Sequence, residues 1–165
     1  MGEGSRVWVK WLIGGFVSLV VMLGLVALVL RKDVEVKLGG EIQIDDFAFR
    51  VDRAMTLPDS AGTDTELFVI ELTVMNRAQR VDFNFKPEQA VIGAKNFDQV
   101  SCDVSQSQKL AEMDLTPMPA KTSRRFTLAY HLPKGATGKF FRICWGPGTD
   151  VLEKIFFGNK RILLD

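Results

Sequence analysis

One histidine, two cysteines and a few paired carboxylates are the side chains from which this sequence could build catalysis or metal binding. His131 is the sole imidazole, so a Ser–His or Cys–His nucleophilic pair would have to use it. It falls on the polar phase of a strand pattern, beside Thr127 and Ala129, which reads as a surface histidine. Cys102 and Cys144 are a candidate disulfide. In an oxidising compartment it would close a loop of roughly 40 residues, worth about 3–4 kcal/mol on the chain-entropy account. Their alternation argues the other way. Cys102 shares a phase with Val100 and Val104, whereas Cys144 shares one with Arg142 and opposes Ile143 and Trp145. Opposite facings favour two thiols unless a bulge shifts one strand. Met113, Met118 and His131 are soft-metal donor types, but they follow no regular spacing, and Met also fills gaps in cores. Asp45–Asp46 and the Asp59, Asp64 pair supply fewer oxygens than calcium needs. Arg124–Arg125 reads as an exposed strand start, and Trp145-Gly146-Pro147-Gly148 has neither Walker nor dinucleotide spacing. These residues assign no catalytic, metal-binding or cofactor-binding role. No cofactor and no enzymatic activity are expected.

Composition narrows the classes further. The chain has 165 residues, with 21 Lys+Arg against 20 Asp+Glu and a formal charge of +1. It lacks the basic surplus of a nucleic-acid binder, and no nucleic-acid partner is expected. With 47% apolar and 25% charged residues it can bury one domain's core. One His and two Cys exclude a two-His site, a four-Cys zinc site or a CxxC motif within one chain.

Positioning begins with an unlike first segment. From Trp11 to Leu30 run 20 residues without a charge. At about 1.5 Å per residue a helix of that length spans roughly 30 Å, the thickness of a bilayer's hydrocarbon core. Trp8, Lys10 and Trp11 at one end, and Arg31 and Lys32 at the other, suit the membrane interface. The run is longer than a signal-peptide apolar region and ends without a small-x-small cleavage site, which predicts an uncleaved anchor. Gly14-x-x-x-Ser18 offers a small-xxx-small spacing, a weak dimerisation signal. Arg6 and Lys10 before the run nearly balance Arg31, Lys32 and Lys37 after it. Orientation therefore rests on layout: a short N-terminal tail and one span are typical of a signal-anchor with the following domain translocated.

The remainder alternates with period two. Ile42 and Ile44 slip phase at Asp45–Asp46, as at a bulge or change of strand, before Phe47, Phe49 and Val51. Phe68, Ile70, Leu72 and Val74 form one face of a long strand ending at Asn76. Val81, Phe83 and Phe85, then Val100, Cys102 and Val104, then Phe126, Leu128, Tyr130 and Leu132 repeat the pattern. Phe141, Ile143 and Trp145 follow, then Val151–Phe157 and Ile162–Leu164. Phe83 and Phe85 read as core, or as a docking edge if their strand lies outermost. Turn-rich separators and the lack of crossover helices predict an all-β, antiparallel β-sandwich after a single transmembrane helix, with a barrel as the alternative. The expected organisation is a tail over 1–10, the span over 11–30, a linker over 31–40 and the sandwich over 41–165.

Leu67-Phe68-Val69-Ile70-Glu71-Leu72-Thr73-Val74-Met75-Asn76 resembles the long Asn-terminated strand of the telokin-like, immunoprotective-antigen-like extracellular domains, a bacterial Ig-like family of unknown function. Pro119-Ala120-Lys121-Thr122-Ser123 and Arg125-Phe126-Thr127-Leu128-Ala129-Tyr130-His131-Leu132-Pro133 resemble that family's pre-strand turn and its Pro-closed strand. The resemblance covers roughly residues 41–157, and Gly93-Ala94-Lys95-Asn96 is a weak counterpart of the family's Gly-rich turn. It implies an Ig-like fold in an extracytoplasmic place and transfers no catalytic residue. The expected protein is a single-pass protein of a bacterial inner or plasma membrane. Its displayed domain binds another envelope protein or serves as an accessory subunit, and the alternative is a carrier of a small ligand or metal.

Overall fold

A computed structural model describes residues 15–22, 24, 33–58, 64–144 and 159–165. Residues 15–22 are helical, with Phe16, Val17 and Leu19 through Met22 all exposed. The rest of the 11–30 run, and its flanks Trp8, Lys10, Trp11, Arg31 and Lys32, lie outside the described residues. Among the described residues no helix is long and apolar enough to cross a membrane.

Among the described residues nine strands form two sheets. The four-stranded sheet has the order β2-β3-β4-β7, from β2 (Glu41–Ile44), β3 (Phe47–Leu57), β4 (Thr65–Asn76) and β7 (Ser123–Pro133). The five-stranded sheet has the order β1-β9-β8-β5-β6, from β1 (Val34–Lys37), β9 (Lys160–Leu163), β8 (Phe140–Ile143), β5 (Ala90–Ala94) and β6 (Phe97–Ser101). Inward residues of β4 and β7, among them Ile70, Leu72, Leu128 and Tyr130, meet Ile92, Phe141 and Ile162 of the other sheet in one core. Each large apolar side chain so buried contributes about 1.5–3 kcal/mol. The result is a two-layer sandwich rather than a closed barrel.

Several expectations change. Residues 34–37, inside the stretch read as a linker, form β1 and pair in parallel with β9, Val34 opposite Lys160. The sandwich therefore starts before residue 41, and this one parallel pair departs from the all-antiparallel expectation. The half-buried Val34 and Val36 explain the strand. The phase slip at Asp45–Asp46 is a change of strand, with Asp45 at φ 55° in the β2–β3 turn. The bulge lies further on, between Val51 and Arg53, and leaves Asp52 as the extra residue.

Residues 81–85 form no strand. Phe83 makes one bridge to Met118, with Phe83 N–H donating to Met118 O at 2.9 Å and Met118 N–H to Phe83 O at 2.8 Å. The ladder stops there because neighbouring groups are diverted. Thr116 N–H donates to the Asp114 carboxylate, Thr116 O accepts from Arg124, and Val81 O accepts from Asn76. Phe83 and Phe85 are core, so neither is a docking edge; Phe83 stacks on Phe47 at 4.0 Å and Phe85 lies 4.7 Å from Phe126.

The strand expected through Val100, Cys102 and Val104 ends at Ser101. Asp103 instead caps a short helix, Val104–Leu110, its side chain accepting from Gln106 N–H at 2.9 Å. An Asp cap outweighs the β preference of one valine. At Gly93 a Cβ would stand 2.4 Å from Phe140 Cζ, so any larger residue requires that ring to move. The run 151–157 and Trp145 lie outside the described residues.

Candidate functional site

β7 is the outer strand of its sheet, with β4 on one side only. On the other side the backbone of Ala129 is covered by residues 102–110. Asp103 N–H donates to Ala129 O at 2.8 Å, and Ala129 N–H donates to Ser107 Oγ at 2.8 Å. The Ser107 hydroxyl donates to Asp103 O at 2.6 Å, and Cys102 Sγ lies 3.3 Å from it. Asp103 Oδ2 is 3.3 Å from His131 Nε2. The helix thus draws a thiol, a hydroxyl, a carboxylate and the sole imidazole into one cluster at the sheet edge.

These are nucleophile and acid–base types, but their geometry is that of a clamp. The imidazole meets Asp103, while Ser107 Oγ is engaged with two backbone groups rather than with a base. Burial pushes the Cys102 thiol above its ordinary value, against the lowering effect of the Ser107 hydrogen bond. A thiol so protonated is a poor nucleophile. What the cluster does is cover an exposed strand edge, a site of unwanted pairing. Alternation alone puts His131 on a bare surface and does not bring Asp103 and Ser107 to it. The missed signal was Asp103 followed three residues later by Gln106, an N-terminal helix signature.

The other candidates are dispersed. Cys102 faces the core, whereas the Cys144 thiol donates to Gln99 Oε1 at 3.5 Å, and the two are not bonded to each other. Met118 is buried, Met113 packs against the core, and His131 is engaged with Asp103. Among the described residues no cluster of three His, Cys, Asp or Glu could hold a metal. Asp59 lies outside the described residues. Arg124 fastens the 114–116 loop through Asp114 O and Thr116 O. Arg125 joins a charged group on the outer face, 3.8 Å from Asp52, which also accepts from Arg50 and Thr73. Burial pushes the Asp52 carboxyl up, but those hydrogen bonds and guanidinium charges outweigh it and hold it below its ordinary value.

Two depressions lie at the end of the sandwich away from Asp45–Asp46. One, of about 410 Å³, is lined by Thr56, Leu57, Pro58, Thr65, Glu66 and Lys134. The other, of about 390 Å³, is flanked by Lys95, Lys139, Phe140 and Arg161. There Arg161 pairs with Glu35, and Lys139 Nζ stands 3.6 Å from Asp165.

No protein-family model matches the chain. No curated relative matches it either. Among solved structures the chain is similar to MPT63, a secreted protein from Mycobacterium tuberculosis. That likeness has a TM-score of 0.55 at 10% identity and covers 70% of this chain and 92% of the other. It is also similar to the yjhA protein from Bacillus subtilis, with a TM-score of 0.53 at 15% identity, covering 79% of this chain and 99% of the other. At these identities the likeness establishes a shared β-sandwich fold.

Proposed function

We propose that this chain is a membrane-anchored, extracytoplasmic Ig-like domain of a bacterial envelope, akin to the immunoprotective-antigen-like family its strands resemble, and that it works by binding. The observation that carries this reading is the apolar stretch at 15–22. Its side chains are left in the open, Phe16 at 68% and Met22 at 65%, while the sandwich closes its own core. Lipid is the cover such a stretch calls for. The fold shared with a secreted protein supports a place outside the cytoplasm.

Binding is favoured over catalysis because the thiol, hydroxyl, carboxylate and imidazole at the β7 edge hold the helix in place. The anchor confines the domain to two dimensions and raises its effective concentration toward other membrane proteins. Two arms test the proposal. A reporter fused after Asp165 is active only outside the cytoplasm, and activity only inside overturns the localisation. Crosslinking in the native membrane captures one specific envelope protein, lost on deletion of the sandwich and retained when residues 11–30 are replaced by an unrelated span. Capture that follows the span instead overturns the binding role.

A further inference from the structure

The end of the sandwich nearest the anchor can be identified. Resting on the anchored reading above, we infer that this end, with Val81 at its tip, lies against the phospholipid headgroups of the same membrane. The charge-free run ends at Leu30, and three residues separate it from Val34, where β1 begins. Fully extended, that tether spans no more than roughly 14 Å. The five-stranded sheet is about 19 Å across at ~4.8 Å per strand spacing. Headgroups occupy about 5–7 Å of the gap on each side of the hydrocarbon core. Beyond the headgroups at most about 7–9 Å of tether remains, less than half the width of that sheet, so the end carrying Val34 is held close to the bilayer and faces it.

A chain of contacts shows what shares that end. Val34 N–H donates to Asn159 O at 3.1 Å, and the Lys160 ammonium donates to Gln43 O, beside the Asp45–Asp46 turn. Arg77 N–H donates to Asp46 O at 2.8 Å. Asn76, 1% exposed, donates through its amide to Val81 O at 2.8 Å and Met118 O at 2.9 Å and accepts from Ala78 N–H at 3.0 Å. This buried amide holds the 76–81 loop through the Val81 carbonyl. Val81 is 61% exposed, the most open large apolar side chain of the sandwich among the described residues. Among the described residues Arg80, Lys121 and Lys160 at this end meet Asp33, Asp45, Asp46 and Asp82, so the short tether and Val81, rather than a basic surplus, set the contact.

The test uses the full chain in phosphatidylcholine–phosphatidylglycerol vesicles, with the photocrosslinker p-benzoylphenylalanine replacing Phe16, Val81 or Lys134 in turn. Lys134 follows β7, whose far end at Pro133 stands roughly 33 Å from Ser123 at ~3.3 Å per residue. Lipid adducts are expected at positions 16 and 81, the latter several-fold above position 134. Adducts at 16 with 81 no higher than 134 overturn this inference and leave the anchor standing. No adduct at 16 overturns the anchored reading, and this inference with it.

Discussion

Replacing Asn76 by Ala removes the amide that closes the loop after β4. The cost follows from its three hydrogen bonds. Ala78 N–H, on a residue 2% exposed, loses its acceptor outright, which costs about 1–3 kcal/mol. Met118 O keeps its bond from Phe83 N–H, and Val81 O lies on an exposed residue where water replaces the amide. Together these losses add about one ordinary hydrogen bond, ~1 kcal/mol. The expected destabilisation is about 2–4 kcal/mol, a large part of the ~5–15 kcal/mol that holds a domain folded. At about 3–4 °C per kcal/mol for a chain of this size, the melting midpoint falls by roughly 10 °C. The assay is thermal unfolding of the detergent-solubilised full chain, followed by circular dichroism in the β-sheet region. Arg77→Ala is the control. Its ion pair with Glu41 at 2.8 Å is solvent-exposed, so its loss costs less than about 1 kcal/mol. If Asn76→Ala is no worse than Arg77→Ala, the loop is held by something other than this amide and the reasoning fails.

Other consequences follow from single sites. Gly93→Ala drives a methyl into Phe140 and costs about 1–3 kcal/mol in the same melting assay; an unchanged midpoint would mean the ring moves aside freely. Because the folded Asp52 carboxyl sits below its ordinary value of 3.8, its stabilisation is present above that value and disappears as the pH falls below it; Asp52→Asn flattens the acid limb of the stability curve, and an unaltered limb would contradict the assignment. Native alkylation modifies Cys144 ahead of the buried Cys102, and a non-reducing peptide map yields no 102–144 linked pair; finding that pair would overturn the facing argument.

The parts of the fold legible in the sequence are those where one face is buried over many residues. In β4 and β7 the apolar residues Phe68, Ile70, Leu72, Val74 and Phe126, Leu128, Tyr130, Leu132 recur at every second position. Although Leu67, Val69 and Ala129 are buried on the other face, a one-residue slip would turn Ile70, Leu72, Leu128 and Tyr130 out of the main core together. Short segments are decided by hydrogen-bonding competition that alternation does not encode. At 81–85 the polar–apolar pattern is present and the side chains are buried as expected, but Asn76, Asp114 and Arg124 take the backbone groups a ladder would need. At 102–104 one carboxylate starts a helix instead of extending a strand. β1 escapes notice because four residues carry little pattern and their partner, β9, lies at the opposite end of the chain. The β7-edge cluster was half legible. His131 and Cys102 stand out by rarity, whereas their meeting through Asp103 and Ser107 depends on where that unforeseen helix docks.

The proposal that residues 11–30 anchor a folded sandwich in a membrane stands on whether the chain behaves as an integral membrane protein. Its most direct test is an alkaline carbonate wash of native membranes, with the full chain followed by immunoblot. A chain anchored through residues 11–30 stays intact in the membrane pellet; its release into the supernatant overturns the anchor.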